Sequence, residues 1–527
     1  MDKIHNPILP GFNPDPSIIR VGDDYYIATS TFEWFPAVQI HHSKDLVNWR
    51  LLTHPITRVS QLDMTGNVPS CGIWAPCLSY CDGLFYLIYT NTRVYNSNFK
   101  DCHNYLITAK DIMGPWSEPI YLNSSGFDPS LFHDDDGRKW FVNMQWDHRK
   151  GKNPFSGIVL QEYDPKQQKL TGPVKNIFKG TQFKLTEGPH LYKINGLYYL
   201  LTAEGGTTFD HLVTMARSKN IDGPYEVDPT NPVLTSRFDP KLPLQRAGHA
   251  SIVQTQNNKW YMVHLCGRPL PSDTNPKRRC VLGRETAIQK CYWTDDGWLR
   301  IEGGNTPKID VDAPGLPEHK FKAEPARDDF DSGSLSAHYA TLRLPADESW
   351  LSLKERNGFL RLKGRESLAS NHHQSLLGRR LQSFKCQVTT CLEFEPQYFQ
   401  QMAGLTFFYD SQNYFYLRVS RDETLGKHLG IIASDNNKYD ELCPEIKLND
   451  AKRVSLRGDF DYGKLQFSYS LDEKNFKPIG PILDATRLSD EYCQQGCFTG
   501  AFAAICCQDI FGTKINADFD YFEYKES

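Results

Sequence analysis

DPSIIRVGDDYYIAT (residues 15–29), WAPCLSYCDGLFYLIYT (74–90), DPSLFHDDDGRKWFV (128–142), EGPHLYKINGLYYLLTA (187–203) and HASIVQTQNNKWYMVHL (249–265) are five renderings of one pattern. Each reads as a strand, a tight polar turn and an aromatic strand. Their starts lie about 54 to 62 residues apart, in the range of periods that marks solenoids and propellers. Four-stranded units repeated radially make a β-propeller, whose innermost strands line a central channel. Five units predict five blades. Because every repeat opens on the same strand, its leading residue is expected at the equivalent place in each blade, near the axis. On this reading Asp15, Asp128, Glu187 and His249 converge. Three carboxylates in one pocket repel one another and lose hydration, a cost that fold maintenance alone does not explain.

Outward from the repeats, the fifth unit ends near Ile301, so residues 1–305 are expected to form the propeller. Residues 306–326 are rich in Pro, Gly, Lys and Glu without an amphipathic period and read as a linker. Beyond them, Phe359-Leu360-Arg361-Leu362-Lys363, Tyr414-Phe415-Tyr416-Leu417-Arg418-Val419 and Lys464-Leu465-Gln466-Phe467-Ser468-Tyr469 alternate with period two. Short alternating strands between Gly, Asn and Asp turns predict a β-sandwich over residues 327–527. The ending ADFDYFEYKES reads as a last strand pairing near the first of that domain. The expected fold is all-β, a five-bladed propeller followed by a sandwich.

Composition agrees: 527 residues favour two domains, and 13% aromatics with 32 prolines and 37 glycines suit a turn-rich β protein. A net charge of −4 offers no basic field for nucleic acid and no polybasic face for a membrane. MDKIHNPILPGF lacks the apolar core of a secretory signal, so the expected location is cytoplasmic. The stretch from Cys497 to Cys507 is too short to span a bilayer and reads as a buried strand. Fourteen irregularly spaced cysteines, including the adjacent Cys506 and Cys507, read as reduced core thiols. Cys71, Cys77 and Cys81 lack the close-paired spacing of a structural zinc site.

Two opposed carboxylates are the minimum machinery for glycosidic bond cleavage: one protonates the leaving oxygen, the other activates water or attacks the sugar. Asp15 and Asp128 share a local frame, Asn13-Pro14-Asp15-Pro16-Ser17 and Phe127-Asp128-Pro129-Ser130, in which proline stiffens the backbone. Glu187, one methylene longer and followed by Gly188-Pro189, suits the acid that reaches for the leaving group. A neighbouring aspartate raises its pKa and keeps it protonated near neutrality.

Taken together, NPDPS, Gly72-Ile73-Trp74-Ala75-Pro76, FDPS, TEGPH and Gly283-Arg284-Glu285-Thr286 resemble glycoside hydrolase family 43, and within it the bacterial two-domain β-xylosidases. The resemblance covers nearly the whole chain. It implies an inverting hydrolase in which Asp15 is the general base, Glu187 the general acid, and Asp128 tunes and orients the acid. Inversion implies carboxyl groups roughly 6.5 to 9.5 Å apart. It further implies that His249 lies near the axis below the sugar, a hydrogen-bonded core histidine being the alternative. Arg284 would approach the carboxylates and sugar hydroxyls, the alternative being an ion pair with Glu285. Phe32, Trp74 and Phe127 are the expected aromatic walls; Trp34 and Trp146 fit either the entrance or packing between blades. A sandwich loop is expected to close the pocket with Phe511, which otherwise packs within its own domain. The implied activity is release of xylose from the non-reducing ends of xylooligosaccharides, with α-L-arabinofuranosides as the alternative or side substrate. A carbohydrate-binding propeller without catalysis is a third reading, which the presence of all three carboxylates opposes. No organic cofactor and no catalytic metal is required; the resemblance allows a calcium or a water beside His249, while the clustered oxygens of Asp328 and Asp329 suit a structural calcium in the sandwich and Asp134-Asp135-Asp136 reads as ordinary turn chemistry. Relatives of this type are often dimers or tetramers, so the resemblance implies a homo-oligomer, although the sequence shows no interface motif.

Overall fold

The structure, a computed structural model, describes residues 2–270, 278–449, 451–494 and 496–527. It is all-β, with five blades, the fourth of five strands and the others of four, and then a two-sheet sandwich. The blades begin with Ser17–Val21, Gly72–Cys81, Gly126–His133, Glu187–Ile194 and Gln245–Gln254, and each runs outward through consecutive antiparallel strands. Turn chemistry sets the tight hairpins: Asp82-Gly83 (φ 52° and 77°) and Asn195-Gly196 (φ 51° and 79°) take the double positive φ that a two-residue hairpin requires. Inner strands are buried almost throughout, whereas an outermost strand such as Lys169–Phe178 is largely exposed, as expected where only the first strands face the channel.

The ring closes through the start of the chain. Lys3–His5 pairs with Asp310–Asp312, Leu9 bridges to Thr286, and the Asn6 side chain both donates to the Ile288 carbonyl and accepts its N–H, each at 2.8 Å. The expected linker is therefore not a loose tether. After Asp310–Asp312 it wraps blade one, where the His319 N–H donates to Asp45 at 2.8 Å and Phe321 sits 4.5 Å from the Arg50 guanidinium.

In the sandwich, one sheet is built around Asn516–Glu526, which pairs with Arg327–Asp328, Leu360–Lys363 and Lys385–Glu393; the other centres on Phe502–Asp509 and Gln401–Asp410. Thr341–Leu342 pairs with Trp34–Phe35 of the propeller. There Trp34, fully buried, stacks on Phe502 with centroids 3.6 Å apart and planes 12° from parallel. Trp34 thus belongs to the core between the domains and not to a pocket entrance. No helix among the described residues is long and apolar enough to cross a membrane.

Candidate active site

A recurrent irregularity in the inner strands builds the site. In blades two, three and four the inner strand advances three residues (Trp74 to Cys77, Phe127 to Ser130, Glu187 to His190) while its partner advances two. One residue is therefore extra in each blade, a β-bulge that turns neighbouring side chains toward the channel. Asp15, Ala75, Asp128, Gly188 and His249 all take positive φ, between 39° and 56°. For the non-glycine members that conformation costs about 1–3 kcal/mol each and is retained where the surroundings over-determine it. This corrects the expected register. Glu187 is not the counterpart of Asp15 and Asp128; it occupies the place of Trp74 and Phe127, one residue earlier, and Gly188 stands where the aspartates stand. The bulge brings both positions to one cavity, so the convergence survives the shift.

That cavity encloses about 260 Å³, and its walls include Asp15, Asp128, Glu187, His249, Arg284, Phe32, Trp74, Phe127 and Trp146. Asp15 accepts from Arg284 Nη1 at 3.1 Å and from the Ser30 hydroxyl at 2.7 Å; Ser30 Oγ in turn accepts the Ala75 N–H at 2.8 Å. Burial raises the Asp15 pKa, but Arg284, His249 and the Ser30 hydrogen bond outweigh it and hold the carboxyl below its ordinary range. Asp128 accepts the Gly188 N–H at 3.0 Å and faces His249 Nδ1 at 4.0 Å. Glu187 has no comparable donor. Burial first, then the charges of Asp128 and Asp15, push its pKa well above the ordinary value. Asp128 is pushed up too, chiefly by burial, yet its backbone donor and histidine favour its charged form, which leaves the pair's proton on Glu187. The pocket thus draws the pKa of one carboxyl down and pushes that of another up. Arg284 also donates to Thr207 Oγ1 (2.9 Å) and to the Phe498 carbonyl (3.0 Å); Glu285 instead pairs with Arg268 at 2.7 Å.

Phe32, Trp74 and Phe127 are buried side chains of the wall, and Trp146 carries Lys100 Nζ 4.4 Å above its ring. Phe511 does not reach the site. It is 46% exposed and stacks on Tyr398 at 3.7 Å, within the sandwich. The sandwich residue in the pocket is Phe498, 5.9 Å from Phe32 and 5.5 Å from both Trp74 and Tyr95. The two phenylalanines flank opposite ends of strand Phe502–Asp509, and a strand that long sets its ends about 25 Å apart at 3.3 Å per residue. Gly283 makes room for the reaching loop, since a Cβ there would lie 2.5 Å from the Thr499 carbonyl oxygen. The sequence signal for Phe498, a Gly-containing turn before an apolar strand, is matched by the turn after that strand. Ser30, Thr207, Tyr95 and Lys100 carried no motif of their own.

Among the described residues, the group with three ligating atoms close together is Asp422, His428 and Glu445. Arg418 already bonds Glu445 at 2.9 Å and His428 at 3.1 Å. Asp329 pairs with Arg327 (2.6 Å) and Asp328 accepts the Phe330 N–H (2.9 Å). Asp134 sits in its turn, bonded to Lys193 and Tyr198 at 2.8 Å each.

The family profile of glycosyl hydrolases family 43 matches residues 4–299, and that of the β-xylosidase C-terminal concanavalin A-like domain matches residues 327–525. The crystal structure of a xylan β-1,4-xylosidase from Bacillus halodurans C-125 is similar at a TM-score of 0.97 and 60% identity, covering 99% of this chain and 100% of that one. A β-xylosidase of Bacillus subtilis (strain 168) is 53% identical over 532 residues, 99% of this chain and 100% of that protein. A xylosidase/arabinosidase of Humicola insolens is 52% identical over 533 residues, 100% of this chain and 98% of that protein.

Proposed function

The chain belongs to glycosyl hydrolase family 43, and from that membership we propose that it is an exo-acting β-1,4-xylosidase, releasing xylose from the non-reducing ends of xylooligosaccharides with inversion. The observation that carries the reading is the unequal setting of two carboxyl groups in one pocket: Asp15 is bonded to Arg284 and Ser30, which draw its pKa down, whereas Glu187 is buried beside Asp128 and Asp15, and that burial and those charges push its pKa up. Asp15 takes a proton from water as the water attacks the anomeric carbon; Glu187 gives its proton to the departing glycosidic oxygen. Asp128 holds the Gly188 amide beside the acid and, by its charge, helps keep the acid protonated. Arg284 keeps Asp15 ionised and ties it to the sandwich loop. A cavity of about 260 Å³ lies below the roughly 300–1,000 Å³ of ordinary ligand pockets. That size suits one terminal sugar on aromatic walls and not the middle of a polymer. The chemistry assigned to these residues needs no cofactor.

Proton NMR of fresh xylobiose with enzyme tests the reading: α-xylose is expected before mutarotation. Early β-xylose would require a covalent intermediate and end the role of Asp15 as a water-activating base. Activity on α-L-arabinofuranosides is the second reading, favoured by the similarity to a protein named for both activities; rates on the two aryl glycosides rank them, with the xyloside expected ahead. A cytoplasmic location and assembly into a dimer or tetramer belong to the same proposal, tested by cell fractionation and by size-exclusion chromatography with light scattering.

A further inference from the structure

A second cavity, of about 710 Å³, opens where blade one, the N-terminal segment, the wrapped linker and the sandwich meet. Its lining carries Arg50, Lys320, Lys322, Arg379 and Arg380 against a single carboxylate, Glu324. Arg380 is only 5% exposed. Its Nε donates to the Phe12 carbonyl at 3.0 Å, and its guanidinium lies 5.6 and 5.2 Å from the Phe12 and Phe502 rings. Among the described residues no carboxylate pairs with it, and burial draws its pKa down to about 9. Arg379 has a buried Nε with no hydrogen-bond partner, and the Oε1 of Gln39, a residue 3% exposed, is likewise unpaired.

Arg343, 1% exposed, likewise has no ion pair among the described residues but spends its donors on the Asn67 carbonyl, Gln374 Oε1 and Asn371 Oδ1, whereas three other buried arginines meet carboxylates. Arg246 pairs with Asp490 and Glu491, Arg284 with Asp15, and Arg418 with Glu445. An uncompensated buried charge is costly, and here the guanidinium groups of Arg379 and Arg380 border a cavity whose lining sets five cationic side chains against the one carboxylate of Glu324. Their planar donor forks match the oxygens of a tetrahedral oxyanion. The volume exceeds what a bare ion needs and admits a sugar-sized carrier.

We propose that this crevice is an anion-binding site that takes a phosphate group, free or as a monoester, on the cationic lining formed by Arg50, Lys320, Lys322, Arg379 and Arg380. The site does not depend on the glycosidase reading. Its occupant would bridge strand Ser375–Arg380 of the sandwich to Gln39–Ser43 of blade one, so binding stabilises the docked pair of domains.

The test is isothermal titration calorimetry of the full chain with inorganic phosphate and separately with glucose 6-phosphate, at fixed ionic strength in chloride buffer, alongside thermal unfolding. Saturable heat, a Tm that rises with ligand, and at least a tenfold loss of affinity in Arg379→Gln and Arg380→Gln are expected. Binding of phosphate supports the free ion as ligand; binding of the ester alone supports a carried phosphate. Should Arg380→Gln fail to fold, the less buried Arg379→Gln decides. No heat and no Tm shift with either probe, or affinity undiminished in the folded arginine variants, overturns the site.

Discussion

Two clusters of buried carboxylates, one in the sandwich and one at the propeller mouth, are treated in opposite ways. Asp518, on the last strand of the sandwich, accepts from Arg361 Nε and Nη2 at 2.7 and 2.9 Å and from Arg356 Nη1 at 2.8 Å. Burial pushes its pKa up, yet those arginines prevail and hold it below the ordinary range. In the propeller mouth one arginine serves three carboxylates and ion-pairs with Asp15, leaving Glu187 to burial and to its acidic neighbours. The number of buried charges is therefore a poor guide to role. The ratio of donors to carboxylates separates a cluster that ties strands together from one poised to move protons.

The largest test of that contrast is to remove either end of the proton path. Asp15→Ala and Glu187→Ala should each lower kcat on xylobiose about 1,000-fold or more with circular dichroism unchanged; near-normal turnover in a folded variant would break the assignment. Next comes Asp128→Asn, expected to lower kcat about 100-fold and to alter the pH profile in a stated direction. Part of what raises the Glu187 pKa, after burial, is the Asp128 charge. Without it the acid loses its proton sooner as pH rises, so the alkaline limb of kcat moves to lower pH. An unmoved limb would deny Asp128 its tuning role.

Asp518→Asn is the mirror experiment: denaturant unfolding should show a loss of about 2 kcal/mol, below the cost of breaking a fully buried pair, with kcat per folded molecule unchanged. Because the folded pKa of Asp518 is depressed, its contribution is present above the unfolded value of roughly 3.9 and is lost as pH falls through the folded one. Smaller effects separate the two sandwich phenylalanines. Phe498→Ala removes a half-buried wall of the cavity and should raise KM about tenfold, in line with partial loss of an aromatic contact. Phe511→Ala should leave kcat/KM within about twofold, as for a surface substitution.

Much of this was legible before any coordinates. The repeats foretold five blades because the polar turn and aromatic strand recur in every unit, and period-two alternation foretold the sandwich for the same local reason. Asp15, Asp128 and Glu187 stood out as ionisable side chains at the heads of otherwise apolar strands. The register of Glu187 was not legible, since a bulge is decided by how one strand pairs with the next and leaves no local mark beyond the Gly-Pro and Asp-Pro steps that also suit simple turns. Trp34 fitted either the entrance or packing between blades, and its ring stacks instead on Phe502 of the other domain.

By itself the sequence determined what short-range physics sets: strand and turn periodicity, the count of blades, the second β domain and the chemical identity of the acids. Only the tertiary structure decided what depends on contacts between distant segments. It chose Phe498 over Phe511, because the strand between them points one end at the propeller. It gave Arg284 to Asp15 and Arg268 to Glu285, and it left Arg380 without a counter-charge in the seam between the domains. Electrostatic role follows from what surrounds a group in three dimensions, and the neighbours that fix it here lie as far apart in the chain as Asp15 and Arg284.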